Sequence, residues 1–231
     1  MTRAIVVDIE GTTSSTDFVT STLFPYARAR FATYIAAHRD SAALRARLDE
    51  IRNDIGAPHA DDAQLIATLE QWSDADKKVS PLKAIQGWIW QDAFANGELT
   101  SHFYPDVIPA LRRWHGAGLL FAVFSSGSVD AQRAWFGHSP EGDLLPLLSG
   151  NFDTENAGPK READSYRKIA AELALVPEEI LFLSDVAAEL DAARNAGWIT
   201  IGVRRAGEPS FAAGVGDHRE IHSFDEVALP S

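Results

Sequence analysis

Three apolar runs in this chain each end in a polar cluster, and a lysine stands between the second and third. Residues 3–9 end in Asp8 and Ile9 and lead into Glu10 and the turn Gly11-Thr12-Thr13. Residues 119–124 lead into Ser125-Ser126-Gly127-Ser128, and residues 180–183 into Ser184-Asp185. Lys160 lies in the segment G-P-K-R-E. Two carboxylates with a turn after one strand, plus a carboxylate after another, can hold a hard cation through oxygen ligands, and Mg²⁺ is the natural candidate. A Ser-Ser-Gly-Ser turn opening a helix offers hydroxyls and N–H groups at the positive helix end, which suits a phosphate. Lys160 adds charge for the same anion. With repulsion offset by a metal, Asp8 can attack phosphorus and form an aspartyl-phosphate, while Glu10, two residues on, can move protons.

Each residue taken alone has a plainer reading. Asp8 could be a turn residue, the serine run a helix N-cap, Asp185 another N-cap, and Lys160 a solvated surface lysine. The chemical reading rests on the four occurring together, in register with strand ends.

The elements that must position them follow from hydropathy. Residues 3–9, 119–124, 180–183 and 198–203 are short, apolar runs of the kind buried in a parallel sheet. Helical periodicity marks 107–115, 129–136, 165–175 and 187–196 between them, so the core is α/β. In open sheets of this class ligands sit beyond the carboxyl ends of the strands, where the polar clusters fall. From Thr16 to His102 the rhythm changes to helical periodicity alone. The expected helices there are 23–38, 42–51, 62–72 and 81–94, broken at Gly56, Pro58 and the polar run 73–78. The segment after Arg205 is Gly-rich and reads as loop as far as Ile221.

Composition narrows the function classes. In 231 residues, 45% hydrophobic content supplies a core, and the absence of cysteine removes disulfides, thiolate metal sites and Cys nucleophiles. A net charge of −12 opposes nucleic-acid binding without a basic patch, and none is evident. No apolar stretch approaches the about 20 residues of a membrane-spanning helix. The strand-like run begins so near Met1 that a signal sequence has no room, so a cytoplasmic location is expected. His218, Glu220 and His222 form H-x-E-x-H, which differs from the H-E-x-x-H zinc motif. There is no G-x-S-x-G around Ser126 or Ser128, no Walker motif and no G-x-G-x-x-G fingerprint.

The four clusters, in this order, resemble the motifs of the haloacid dehalogenase superfamily of aspartyl-phosphate phosphatases. That superfamily usually has Asp where this chain has Glu10. D-I-E-G-T-T (8–13), L-F-P-Y-A-R (23–28), Y-P-D-V (104–107), F-S-S-G-S (124–128), G-P-K-R-E-A-D-S-Y-R-K-I (158–169) and L-F-L-S-D-V-A-A-E-L-D-A-A (181–193) are similar to the enolase-phosphatase family of methionine salvage. Glu10 and Ser165-Tyr166 are the most specific of these pieces.

The resemblance implies a Rossmann-like parallel sheet core with helices on both faces, formed by 1–15 and 103–231, and an inserted helical cap, 16–102. It implies enolisation of 2,3-diketo-5-methylthiopentyl-1-phosphate and then phosphate loss to the acireductone, with Mg²⁺ as cofactor. On that pattern Asp8 is nucleophile and metal ligand, Glu10 binds the metal through its backbone carbonyl, and Asp185 is the third protein ligand. Ser125, Ser126 and Lys160 bind the substrate phosphate. The Glu10 side chain is the candidate acid/base. Glu189 is either an orienting group for a metal-bound water or a solvated helix residue. Trp72, Trp88, Trp90 and Phe94 read as core of the cap. The expected partner is the small phosphorylated diketone, with no nucleic acid or membrane, and the expected state is a monomer.

Overall fold

The computed structural model describes residues 1–77 and 79–228. Lys78, which closes the expected polar break, and residues 229–231 of the expected core lie outside the described residues. Two compact units divide the chain: Met1–Thr16 with the described residues from Thr100 onward, and Asp17–Leu99.

The first unit is built on six parallel strands, β1 (Ala4–Val7), β2 (Leu120–Phe124), β3 (Gly150–Phe152), β4 (Ile180–Ser184), β5 (Ile199–Val203) and β6 (Arg219–Ile221). Their order across the sheet is β3-β2-β1-β4-β5-β6. The central strand β1 pairs Val7 with Val123 on one side and with Leu183 on the other. Asp8 therefore leaves the sheet flanked by Ser125 after β2 and by Ser184 and Asp185 at the end of β4.

Alternation along the strands sends side chains to opposite faces, and helices cover both. On one face Val6, Phe124 and Phe182 join Tyr166 and Ile169 of the helix Ala163–Glu172 and Leu190 of the helix Ala187–Asn195. On the other, Phe121 meets Trp114 of the helix Val107–Gly116 and Phe136 of the helix Val129–Gly137. The two edge strands β3 and β6 are three residues each, too short for a hydropathy run, which is why the sequence reading lacks β3 and leaves the approach to Ile221 as loop.

The second unit is helical, with its own core of Phe31, Ile35, Leu44, Ile51, Leu65, Leu69, Trp72 and Ile85. The expected helices 42–51, 62–72 and 81–94 correspond to Ala42–Asp54, Asp62–Asp74 and Ser80–Ala95. Asp61 and Gln64 cap the second of these reciprocally. The single helix expected over 23–38 is instead two, Phe24–Arg28 and Phe31–Ala37. The break falls at Arg30, whose N–H bonds the carbonyl of Ala27 at 2.9 Å, one residue nearer than helix geometry requires. Its guanidinium stacks on Tyr26, 3.5 Å from the ring centre, and reaches Glu98 at 3.2 Å. Trp90 donates its indole N–H to the carbonyl of Leu23 at 2.8 Å, consistent with a packing role. No helix among the described residues is long and apolar enough to cross a membrane.

Candidate active site

The loop after β1 folds back on itself. The carbonyl of Ile9 accepts from the N–H groups of Thr12, Thr13 and Ser14, and Gly11 N–H donates to the carbonyl of Ser14 at 2.7 Å. Gly11 has φ +78°, and a Cβ there would stand 2.2 Å from Oδ2 of Asp185. Only glycine allows both the conformation and the close approach of this backbone to a carboxylate.

This loop places the Thr12 hydroxyl between two buried acids. Thr12 Oγ1 lies 3.3 Å from Asp8 Oδ2 and 3.3 Å from Asp185 Oδ1, and it accepts from the N–H of Asp185 at 3.0 Å. Asp185 is not a helix cap, contrary to the plainer reading. The following helix begins at Ala187 with no side-chain cap, and the Asp185 carboxylate turns toward Thr12 instead.

Lys160 is only 6% exposed, so it is not a solvated surface lysine. Its ammonium contacts Asp8 Oδ1 at 2.5 Å and Glu189 Oε2 at 2.7 Å. The loop that carries it is held by the Ser165 hydroxyl, which donates to the carbonyl of Pro159, and by the Tyr166 hydroxyl, which donates to the carbonyl of Lys160. This explains why Ser165-Tyr166 follow the lysine. Glu189 is buried, not a solvated helix residue, and it accepts from the Ser184 hydroxyl at 3.0 Å.

Ser125 is buried at the end of β2 and Ser126 is exposed. Ser128 caps the helix Val129–Gly137 through the N–H of Ala131. Gln132 steadies the turn by donating to the carbonyls of Gly127 and Phe152 at 2.9 and 2.7 Å. Glu10 is exposed, and its backbone bridges to Ser14.

Electrostatics mark the cluster. Burial and the nearby Asp8 push the Asp185 carboxyl up to about 6 and the Glu189 carboxyl up to about 7. Burial pulls the Lys160 ammonium down, but Asp8 and Glu189 outweigh it and leave the group above its ordinary value. One buried ammonium thus faces three buried carboxylates, Asp8, Asp185 and Glu189. Such a surplus of oxygen-donor charge fits a hard divalent cation.

Several residues here carry no signal in the sequence. Arg205, Glu208 and Ser210 lie in the segment that reads as loop. The Arg205 Nε–H donates to the carbonyl of Thr12 at 3.0 Å, Glu208 accepts from the N–H of Thr16 at 3.0 Å, and the nearby Ser210 side chain acts to lower the pKa of the Asp185 carboxyl. The H-x-E-x-H residues do not converge on a common point. His218 is held by Thr200 and Asp191, whereas Glu220 pairs with Arg204. Asp191, Asp217 and His218 do approach one another, but Arg194 already pairs with both aspartates.

Residues 2–197 match the haloacid dehalogenase-like hydrolase family. Over 98% of its length and 95% of the relative's, the chain is 53% identical to the enolase-phosphatase E1 of Streptomyces avermitilis. The chain belongs to the enolase-phosphatase E1 family. It is also 49% identical to the enolase-phosphatase E1 of Citrobacter koseri, covering 98% of this chain and 97% of that one. The crystal structure of the UTR4 protein from Saccharomyces cerevisiae superposes with a TM-score of 0.82 at 30% identity, covering 98% of this chain and all of that one. Membership in this family of hydrolases makes the chain an enzyme with a haloacid dehalogenase-like fold.

Proposed function

We propose that this enzyme is a Mg²⁺-dependent enolase-phosphatase of methionine salvage, converting 2,3-diketo-5-methylthiopentyl-1-phosphate and water to the acireductone 1,2-dihydroxy-3-keto-5-methylthiopentene and phosphate. The observation that carries the reading is the cluster of Asp8 and Asp185 at the ends of neighbouring strands with Lys160 brought in from a loop, in a chain about half identical to the enolase-phosphatases over nearly its full length.

Asp8, Asp185 and the backbone carbonyl of Glu10 would hold the metal, whose chemistry when bound is to polarise the substrate carbonyl and offset phosphate charge. Ser125, Ser126 and Lys160 bind the substrate phosphate, the serines through hydroxyl and N–H groups at a helix start and the lysine through its charge. In the first step a proton leaves the phosphate-bearing carbon and one is gained by the neighbouring carbonyl oxygen. The Glu10 carboxylate is the acid/base for this transfer. In the second, a carboxylate oxygen of Asp8 bonds to phosphorus as the ester P–O bond breaks, and the leaving oxygen takes a proton. Water then attacks the aspartyl-phosphate, restoring Asp8 and releasing phosphate. Glu189, fixed by Lys160 and Ser184, orients the buried side of the cluster. The helical segment 16–102 serves as the cap on a catalytic core of 1–15 and 103–231, a division supported by the separate hydrophobic core within 17–99. On this reading the working unit is a monomer.

The test is to mix the enzyme, the diketone phosphate and Mg²⁺ and to follow enol absorbance and free phosphate together. Enol formation preceding phosphate release, with both lost in EDTA, is expected. Release of phosphate from unrelated esters alone would refute the enolase step. Glu10→Asp should slow enolisation, and an unaffected rate would remove the proton-transfer role.

A further inference from the structure

Arg205 is 5% exposed, and its guanidinium is gripped from several directions. Nη1 donates to both carboxylate oxygens of Asp106 at 2.9 Å and to the carbonyl of His222 at 3.0 Å. Asp106 is itself fixed by the N–H of Phe224 at 2.6 Å. The rings of Tyr104 and Phe224 lie 4.5 and 5.0 Å from the guanidinium carbon. What this rigid group holds is the carbonyl of Thr12, through Nε at 3.0 Å. Thr12 is the residue whose hydroxyl stands between Asp8 and Asp185.

From this geometry we propose that Arg205 is a positioning residue for phosphoryl transfer. Anchored on Asp106, it fixes the Thr12 backbone and so sets how the Asp8 and Asp185 carboxylates face each other. The inference rests on the functional reading above. A planar guanidinium can bond Thr12 from Nε while its Nη1 holds Asp106, whereas a lysine ammonium supplies one point charge in place of that fork. Displacements of about 1 Å at reacting groups cost on the order of a hundredfold in rate. Ser125, Ser126 and Lys160 belong to other loops, so phosphate binding does not depend on Arg205.

The experiment compares wild type with Arg205→Lys, each folded by circular dichroism at the assay temperature. Readouts are kcat and KM for phosphate release from the diketone phosphate, and the Mg²⁺ Kd measured by calorimetry without substrate. Expected are a fall in kcat of about tenfold or more, a KM within about twofold, and a Mg²⁺ Kd raised severalfold. Thr12→Val, which keeps the shape and deletes the hydroxyl, should give losses that do not multiply with those of Arg205→Lys. Unchanged kcat and Mg²⁺ affinity in folded Arg205→Lys, or losses that multiply fully, would overturn the inference and leave Arg205 as a packing residue. If Arg205→Lys does not fold, Asp106→Asn loosens the same grip from its other end and is read identically. Turnover surviving in Asp8→Asn would overturn the functional reading and this inference together. Loss in Asp8→Asn with no effect in Arg205→Lys overturns the positioning role alone.

Discussion

The Lys160 ammonium lies 2.7 Å from the Glu189 carboxylate, and both groups are buried. The same ammonium reaches Asp8, so one cation restrains two acids where little water can screen them. Lys160→Ala would leave those carboxylates unpaired, and breaking a buried pair from one side costs roughly 3–5 kcal/mol. Lowered stability together with a raised KM for the phosphorylated substrate is the expected outcome, checked by denaturant unfolding and steady-state kinetics. Unchanged kcat and KM would remove Lys160 as a phosphate ligand. The destabilisation should also be larger at pH 8 than at pH 5, because the Glu189 carboxyl, pushed up to about 7 by burial and Asp8, takes a proton at the lower pH and loses its unpaired charge.

Asp8→Asn keeps the size of the side chain and removes the nucleophile. Phosphate release should fall by more than about a thousandfold, the scale on which loss of an essential nucleophile registers. The variant should remain folded, checked by circular dichroism and a phosphate-release assay on one sample.

Gly11→Ala tests the contact between the first loop and Asp185. The substitution meets both a left-handed φ of +78° and a Cβ position 2.2 Å from the Asp185 carboxylate, so it should weaken Mg²⁺ binding as well as lower Tm. Gly56→Ala is the control: its φ is +64°, but nothing stands within 4 Å of the added Cβ. It should lower Tm modestly and leave Mg²⁺ affinity unchanged.

The Asp185 carboxyl, pushed up to about 6 by burial and Asp8, gives a pH prediction with a definite sign. The folded state holds this proton more tightly than the unfolded chain, whose Asp titrates near about 3.9. Its contribution to the stability of metal-free protein is therefore present at the acid end of the window and is lost as pH rises through about 6. Unfolding in EDTA between pH 4 and 8 should show a smaller loss on raising pH in Asp185→Asn than in wild type. An identical slope in the two proteins would refute the assignment.

The elements and the chemical groups were legible in the sequence for one reason: a parallel α/β sheet sends the carboxyl end of every strand to one edge. Asp8, Ser125 and Asp185 each follow an apolar run, so their convergence is implied by hydropathy and strand polarity alone. Lys160 follows no strand, and only its company in the motif order singled it out. Tertiary structure decided the rest. Glu189 occupies a helix position that suits water equally well until Lys160 arrives from another loop to bury it. Asp185 has the sequence of a helix cap, yet the Gly11 turn, distant in the chain, draws its carboxylate to Thr12. Arg205 sits in a Gly-rich segment with no periodicity, and its partners Thr12, Asp106 and His222 come from three separate parts of the chain. Local pattern reports propensity and burial over neighbouring residues. It cannot report a bond whose two ends meet only when the sheet has formed, and those bonds hold the reacting carboxylates in place.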